Sequence, residues 1–153
     1  MADVKNILFA LELTEISERL APWVQLAVKK FNASLHVLHV VPSLEMWGVP
    51  FVSRALESQD NRSLAAKIEP DVVEFCRTHL GWEHGAEIAV VAGRPAEAIV
   101  DYVSTQGMDL VIVGTHARRG LDKAVFGSVA DRVLRLCPVP VLYINPLRGV
   151  ASL

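Results

Sequence analysis

Glycines, two hydroxyls and several cations fall close together between residues 114 and 128. Gly114 closes an unbroken apolar run, Leu110 to Val113. Thr115 to Phe126 follow and carry His116, Arg118, Arg119, Gly120 and Lys123. Gly127-Ser128 then opens a stretch with Val129, Val133 and Leu136 at helical spacing. Glycine lets backbone amides come close to an anion. A helix start adds unpaired N–H groups and a partial positive charge. Arg118, Arg119 and Lys123 can pair with phosphate oxygens. His116 can donate to one or serve as a pH-sensitive contact. Ser128 can cap the helix and also donate to a phosphate. The chemistry is that of a phosphate cradle.

Other chemistries lack their residues. The chain has no Gly-x4-Gly-Lys-(Ser/Thr) and no Gly-x-Gly-x-x-Gly after a strand. It has no Gly-x-Ser-x-Gly elbow and no His-x3-His metal pair. Cys76 and Cys137 form neither a CxxC nor a metal spacing, and read as reduced, apolar side chains. No catalytic constellation stands out; Glu12 or Asp122 could at most assist slow hydrolysis of a bound nucleotide.

The elements that must hold the cradle alternate along the chain. Asn6 to Leu11 has the length and apolarity of a strand. A helix follows, with Leu20, Trp23, Val24, Ala27, Val28 and Phe31 on one face, broken by Asn32-Ala33-Ser34. Ser34 to Val41 is a second strand, closed by Pro42. Pro42 to about Asp60 reads as irregular, and its Trp47 segment as a flap or lid. Ser63 to Leu80 is helical around Leu64, Ile68, Val72 and Phe75; Pro70 either kinks it or starts a second helix. Ala86 to Val91 is a third strand. Gly93-Arg94-Pro95 is a turn into a helix with Ala98, Ile99, Tyr102 and Val103 inward, ending at Gln106-Gly107. After the cradle, Val139 to Ile144 is a last strand, placed at an edge by Pro140. His39, near the end of the second strand, reads as a satisfied core histidine. Strands alternating with helices imply one parallel sheet covered on both faces, with ligands beyond the carboxyl ends of its strands.

The cradle also resembles the nucleotide-binding signature of the universal stress protein family, Gly-x2-Gly-x9-Gly-(Ser/Thr). It stands here as Gly114-x2-Ala117-x9-Gly127-Ser128. Ile7-Leu-Phe-Ala-Leu-Glu12, Leu38-His-Val-Val41, Gly93-Arg-Pro95 and Cys137-Pro-Val-Pro-Val-Leu142 look like further family landmarks. The resemblance implies a five-stranded parallel sheet of order 3-2-1-4-5, Rossmann-like and similar to the adenine nucleotide alpha hydrolases. It implies ATP or another adenine nucleotide as ligand, with Mg²⁺ as companion ion. Ala10, Leu11 and Glu12 would then flank adenine and ribose, Val40 would line the adenine slot, and Val113 would back the base or ribose. Gly114, Ala117, Gly127, Ser128 and Val129 would face the phosphates, with His116 and Arg118 beside them. Two positions depart from the pattern. Glu12 replaces an aspartate and reaches one methylene further. Ala117 replaces a glycine; if that site needs positive φ, alanine costs about 1 kcal/mol, less than tenfold in affinity.

Composition sets the outer limits. The chain has 153 residues, 52% hydrophobic and 21% charged, which is one domain with a real core. A net charge of −2 argues against a general nucleic-acid binder. No apolar run is long enough for a membrane helix and no signal pattern precedes the first strand, so a cytoplasmic location is expected. The expected protein is a small sensor or regulator that binds an adenine nucleotide. The last strand is expected to pair with its twin in a homodimer, through Val139, Val141 and Tyr143. Three alternatives remain open: a family member that works only through protein partners, a slow ATPase or phosphoryl-transfer catalyst, and a generic α/β interaction domain.

Overall fold

The structure, a computed structural model, describes residues 3–15, 17–43, 54–81, 85–115 and 127–146, with backbone alone for 54–58. Five strands form the sheet: β1 (Asn6–Ala10), β2 (Ser34–Pro42), β3 (Glu87–Gly93), β4 (Leu110–Gly114) and β5 (Val141–Ile144). Four helices connect them: α1 (Ala21–Phe31), α2 (Arg54–Phe75), α3 (Pro95–Gln106) and α4 (Ser128–Leu136). A 3₁₀ turn, Ser17–Leu20, leads into α1, and a π-helical turn, Cys76–Leu80, ends α2. Every strand pair is parallel and the order is β3-β2-β1-β4-β5, as the family resemblance implied.

Strand alternation sorts the core into two layers. Ile7, Phe9, Val37 and Ile112 face α1 and α2, where Val24, Ala27, Val72 and Cys76 meet them. Leu8, Ala10, Leu38, Val111 and Val113 face α3 and α4, where Ile99, Val103, Ala130 and Val133 meet them. The central strands β1 and β4 are thus buried on both faces, which is why they read as unbroken apolar runs.

Helix ends follow local chemistry. Asn32 ends α1 in the left-handed region, φ 51°, and Gly107 ends α3 at φ 67°. Pro95 is the first residue of α3, where its missing N–H costs nothing. Pro70 neither stops nor restarts a helix: α2 runs through it, and Pro70 is exposed.

Several expected details shift. The helix α2 begins at Arg54, so the segment expected to be irregular up to Asp60 is helical in its last part. Arg54 to Asp60 has helix-forming residues but no apolar stripe to betray them. Phe31 and Leu136, expected inward, are 50% and 46% exposed. Each is the last residue of its helix, beyond the turns that pack on the sheet. β2 extends through Pro42, paired with Gly93. β5 starts at Val141, so Val139 and Pro140 precede the strand, although the Pro140 carbonyl still accepts from Val111 N–H at 3.0 Å. Edge position is as expected. The Trp47 segment lies outside the described residues. No helix among the described residues is long and apolar enough to cross a membrane.

Candidate functional site

Between β1 and β4 the chain changes direction across the sheet, and the helices leave on opposite faces. A crevice opens there beyond the strand ends. It is a cavity of about 300 Å³. The end of β1 supplies Ala10, Leu11, Glu12 and Thr14; β2 supplies Leu38, His39, Val40 and Pro42. Pro95 and Ile99 come from α3, Val113 from β4 and Val129 from α4. The walls are aliphatic, and among the described lining residues Glu12 brings the one carboxylate.

The turn that carries Glu12 is tightly held. Leu11 N–H donates to Leu38 C=O at 2.9 Å, one residue beyond the β1–β2 ladder. Leu13 then takes φ 52°, a left-handed conformation costing about 1 kcal/mol for a side chain of this kind. Thr14 N–H donates to Ser17 Oγ at 2.9 Å, and Ser17 N–H donates back to Thr14 C=O at 3.0 Å. Ser17 is 1% exposed. His39 Nδ1 lies 2.7 Å from Leu11 C=O. A carbonyl only accepts, so Nδ1 carries the proton in this contact. The histidine is satisfied, as expected, but it is half-buried in the cavity wall rather than in the core.

Gly114 stands at the edge of this arrangement. It lines a separate recess of about 10 Å³ together with Glu12, Ser17 and Thr115, on the α1 side. A Cβ built on it would lie 2.7 Å from Leu20 Cδ1. Its backbone is not in the left-handed region, so what a side chain there would meet is the Leu20 side chain, which would have to shift.

At the start of α4 the cap differs from expectation. Gly127 is the N-cap residue, with φ −65° and ψ 159° and no side-chain cap bond. Ser128 is already inside the helix and exposed, so it does not cap. The N-cap residue of α4 therefore supplies no capping side chain, and Val129, one residue after Ser128, lines the cavity.

Six of the expected residues thus meet in one crevice: Ala10, Leu11, Glu12, Val40, Val113 and Val129. Gly114 adjoins it. His116, Ala117 and Arg118, with Arg119 and Lys123, lie outside the described residues. Thr14, Leu38, Pro42, Pro95 and Ile99 were not expected at the site. Pro95 and Ile99 were legible as a helix start and an inward position; that this inward face meets the crevice is a consequence of topology. Among the described residues no group of His, Cys, Asp and Glu could hold a metal ion by itself.

A doubly covered parallel sheet with its crevice at the strand-order reversal defines a Rossmann-like α/β protein. The universal stress protein family model matches residues 3–145, and the chain belongs to that family. It is 25% identical over 147 residues to the universal stress protein MJ0531 of Methanocaldococcus jannaschii, covering 92% of this chain and 82% of that one. A universal stress protein of Thermus aquaticus is 28% identical over 142 residues, covering 92% and 98%. Among solved structures, the MJ0577 protein of Methanocaldococcus jannaschii superposes with a TM-score of 0.75 at 22% identity, covering 96% of this chain and 99% of that one. A universal stress protein in complex with cAMP gives 0.62 at 16% identity, covering 94% and 98%. One from Archaeoglobus fulgidus in complex with dAMP gives 0.56 at 17%, covering 95% and 100%.

Proposed function

We propose that the crevice holds an adenine nucleotide and that the protein acts as a sensor or regulator through its occupancy. The observation that carries this reading is the convergence of Ala10, Leu11, Glu12, Val40, Val113 and Val129 on one cavity. Its size suits a nucleoside. Val40, Ile99 and Val113 offer an apolar slot for the base. Glu12 offers a carboxylate that can accept from ribose hydroxyls. Phosphates would leave the slot toward Gly127 and Ser128 at the N-terminus of α4, where backbone amides can meet an anion. Relatives of the same fold bind cAMP and dAMP, which supports the adenine class.

ATP is the ligand of first choice. Mg²⁺ would be held chiefly by its phosphates, since the described cavity wall has a single carboxylate. The protein would work in the cytoplasm as a homodimer paired along β5. Val139, Val141 and Tyr143 pack against the α3–α4 layer, and Leu142, at 40% exposure, is the side chain this strand presents outward.

Titration of ATP with Mg²⁺ into the ligand-free protein, against Val40→Trp, tests the site. An indole at position 40 fills the base slot, so affinity should fall by about tenfold or more while the fold, read by circular dichroism, persists. Equal affinity in the two proteins would place the nucleotide elsewhere.

A further inference from the structure

The contact between His39 and Leu11 has a use beyond satisfying an imidazole. The segment Leu11-Glu12-Leu13-Thr14 must leave β1, pass through a left-handed residue at Leu13 and turn back into the 3₁₀ turn. One end of this excursion is pinned by Ser17, whose buried Oγ accepts from Thr14 N–H. The other end is pinned twice from β2, by Leu38 C=O on Leu11 N–H and by His39 Nδ1 on Leu11 C=O. Glu12 is the next residue. Its backbone nitrogen belongs to the same peptide group as the Leu11 carbonyl, so His39 fixes the plane of the peptide from which Glu12 departs.

We propose that His39 is a positioning residue for Glu12. Its Nδ1–H holds the Leu11–Glu12 peptide so that the carboxylate meets the ribose hydroxyls of the bound nucleoside. The inference rests on the adenine-nucleotide reading of the cavity and adds a determinant of sugar specificity. The requirement is for a short donor at the Nδ1 position, not for an imidazole. Asparagine can place its side-chain N–H near that point; alanine cannot.

The experiment compares wild type, His39→Ala and His39→Asn in two ways. The first needs no ligand: amide hydrogen exchange over residues 11–15. Exchange there should quicken in His39→Ala and return toward wild type in His39→Asn, with β4 unchanged in both. The second is binding of adenosine and of 2′,3′-dideoxyadenosine. Wild type should prefer adenosine. His39→Ala should lose about five- to tenfold for adenosine and little for the dideoxy analogue, the size of one lost hydrogen bond. His39→Asn should restore most of the preference.

Unchanged exchange in His39→Ala would overturn the proposal whatever the nucleosides do. Equal losses for both nucleosides would also overturn it, since His39 would then be supporting the cavity as a whole. Altered exchange with no wild-type binding of either nucleoside, or of ATP, would instead bring down the adenine-nucleotide reading, and the sugar role of His39 with it.

Discussion

At position 114 a side chain of any size would have to share space with Leu20. The sequence shows a glycine at the end of a strand beside a cationic loop, and that setting points to a phosphate. The structure adds a second demand, from a leucine that itself is 6% exposed. Gly114→Ala should therefore cost about 1 to 3 kcal/mol of stability, as overpacking does. In a Leu20→Ala background the same change should cost less, with a coupling of at least about 0.5 kcal/mol by urea unfolding. Strictly additive losses would mean that Leu20 is not what demands the glycine. The other candidate residues were legible to different degrees. Ala10, Leu11, Glu12, Val40, Val113 and Val129 stand at fixed offsets from family landmarks, and all six line one cavity. Serine at a helix start is usually the N-cap, but at Ser128 the preceding glycine takes that position. Thr14 and the Leu11 contact of His39 left no mark, because they depend on which loop folds back on which strand.

Individual elements were easier to read where local chemistry forces an end, and harder where only packing decides. Gly107, Asn32 and Pro95 stop or start helices through φ preferences that a sequence displays. The 54–60 part of α2 shows no periodicity, and the exposure of Phe31 and Leu136 depends on where the sheet ends beneath the helix. One tie between elements carries a pH dependence. Asp109, just before β4, accepts from the N–H groups of Lys5 and Asn6 through Oδ2, at 2.9 and 2.8 Å. Those two bonds to the start of β1 hold its carboxyl below the usual value near 3.8, Asn6 contributing more than Lys5. A carboxyl depressed in the folded state binds fewer protons there than when unfolded. Its contribution is present above the unfolded pKa and is lost as pH falls through the lower folded value. Asp109→Asn should therefore be less stable than wild type at pH 7, with the gap narrowing below about pH 4. Urea midpoints at pH 7 and pH 3 measure this. A gap that stays constant with pH would show that the charge on Asp109 plays no part.

For the molecule as a whole, the strand order places one cavity at the reversal and leaves β5 on an outer edge. An exposed parallel edge invites pairing, and Leu142 is 40% exposed upon it. Light scattering at micromolar concentration should give twice the chain mass, and Leu142→Arg should shift the protein toward monomer. A wild-type monomer would contradict the paired assembly. Whether the cavity is a nucleotide site is decided by its natural contents. The protein purified without added nucleotide is denatured, and any released small molecule is identified by mass, alongside a titration of ATP and Mg²⁺ into the ligand-free chain. The expected result is an adenine nucleotide near one per chain, or saturable binding of ATP once the site is emptied. An empty protein that takes up no ATP at millimolar concentration would contradict it and favour a family member that acts through protein partners, with Ala117 the first residue to revert to glycine.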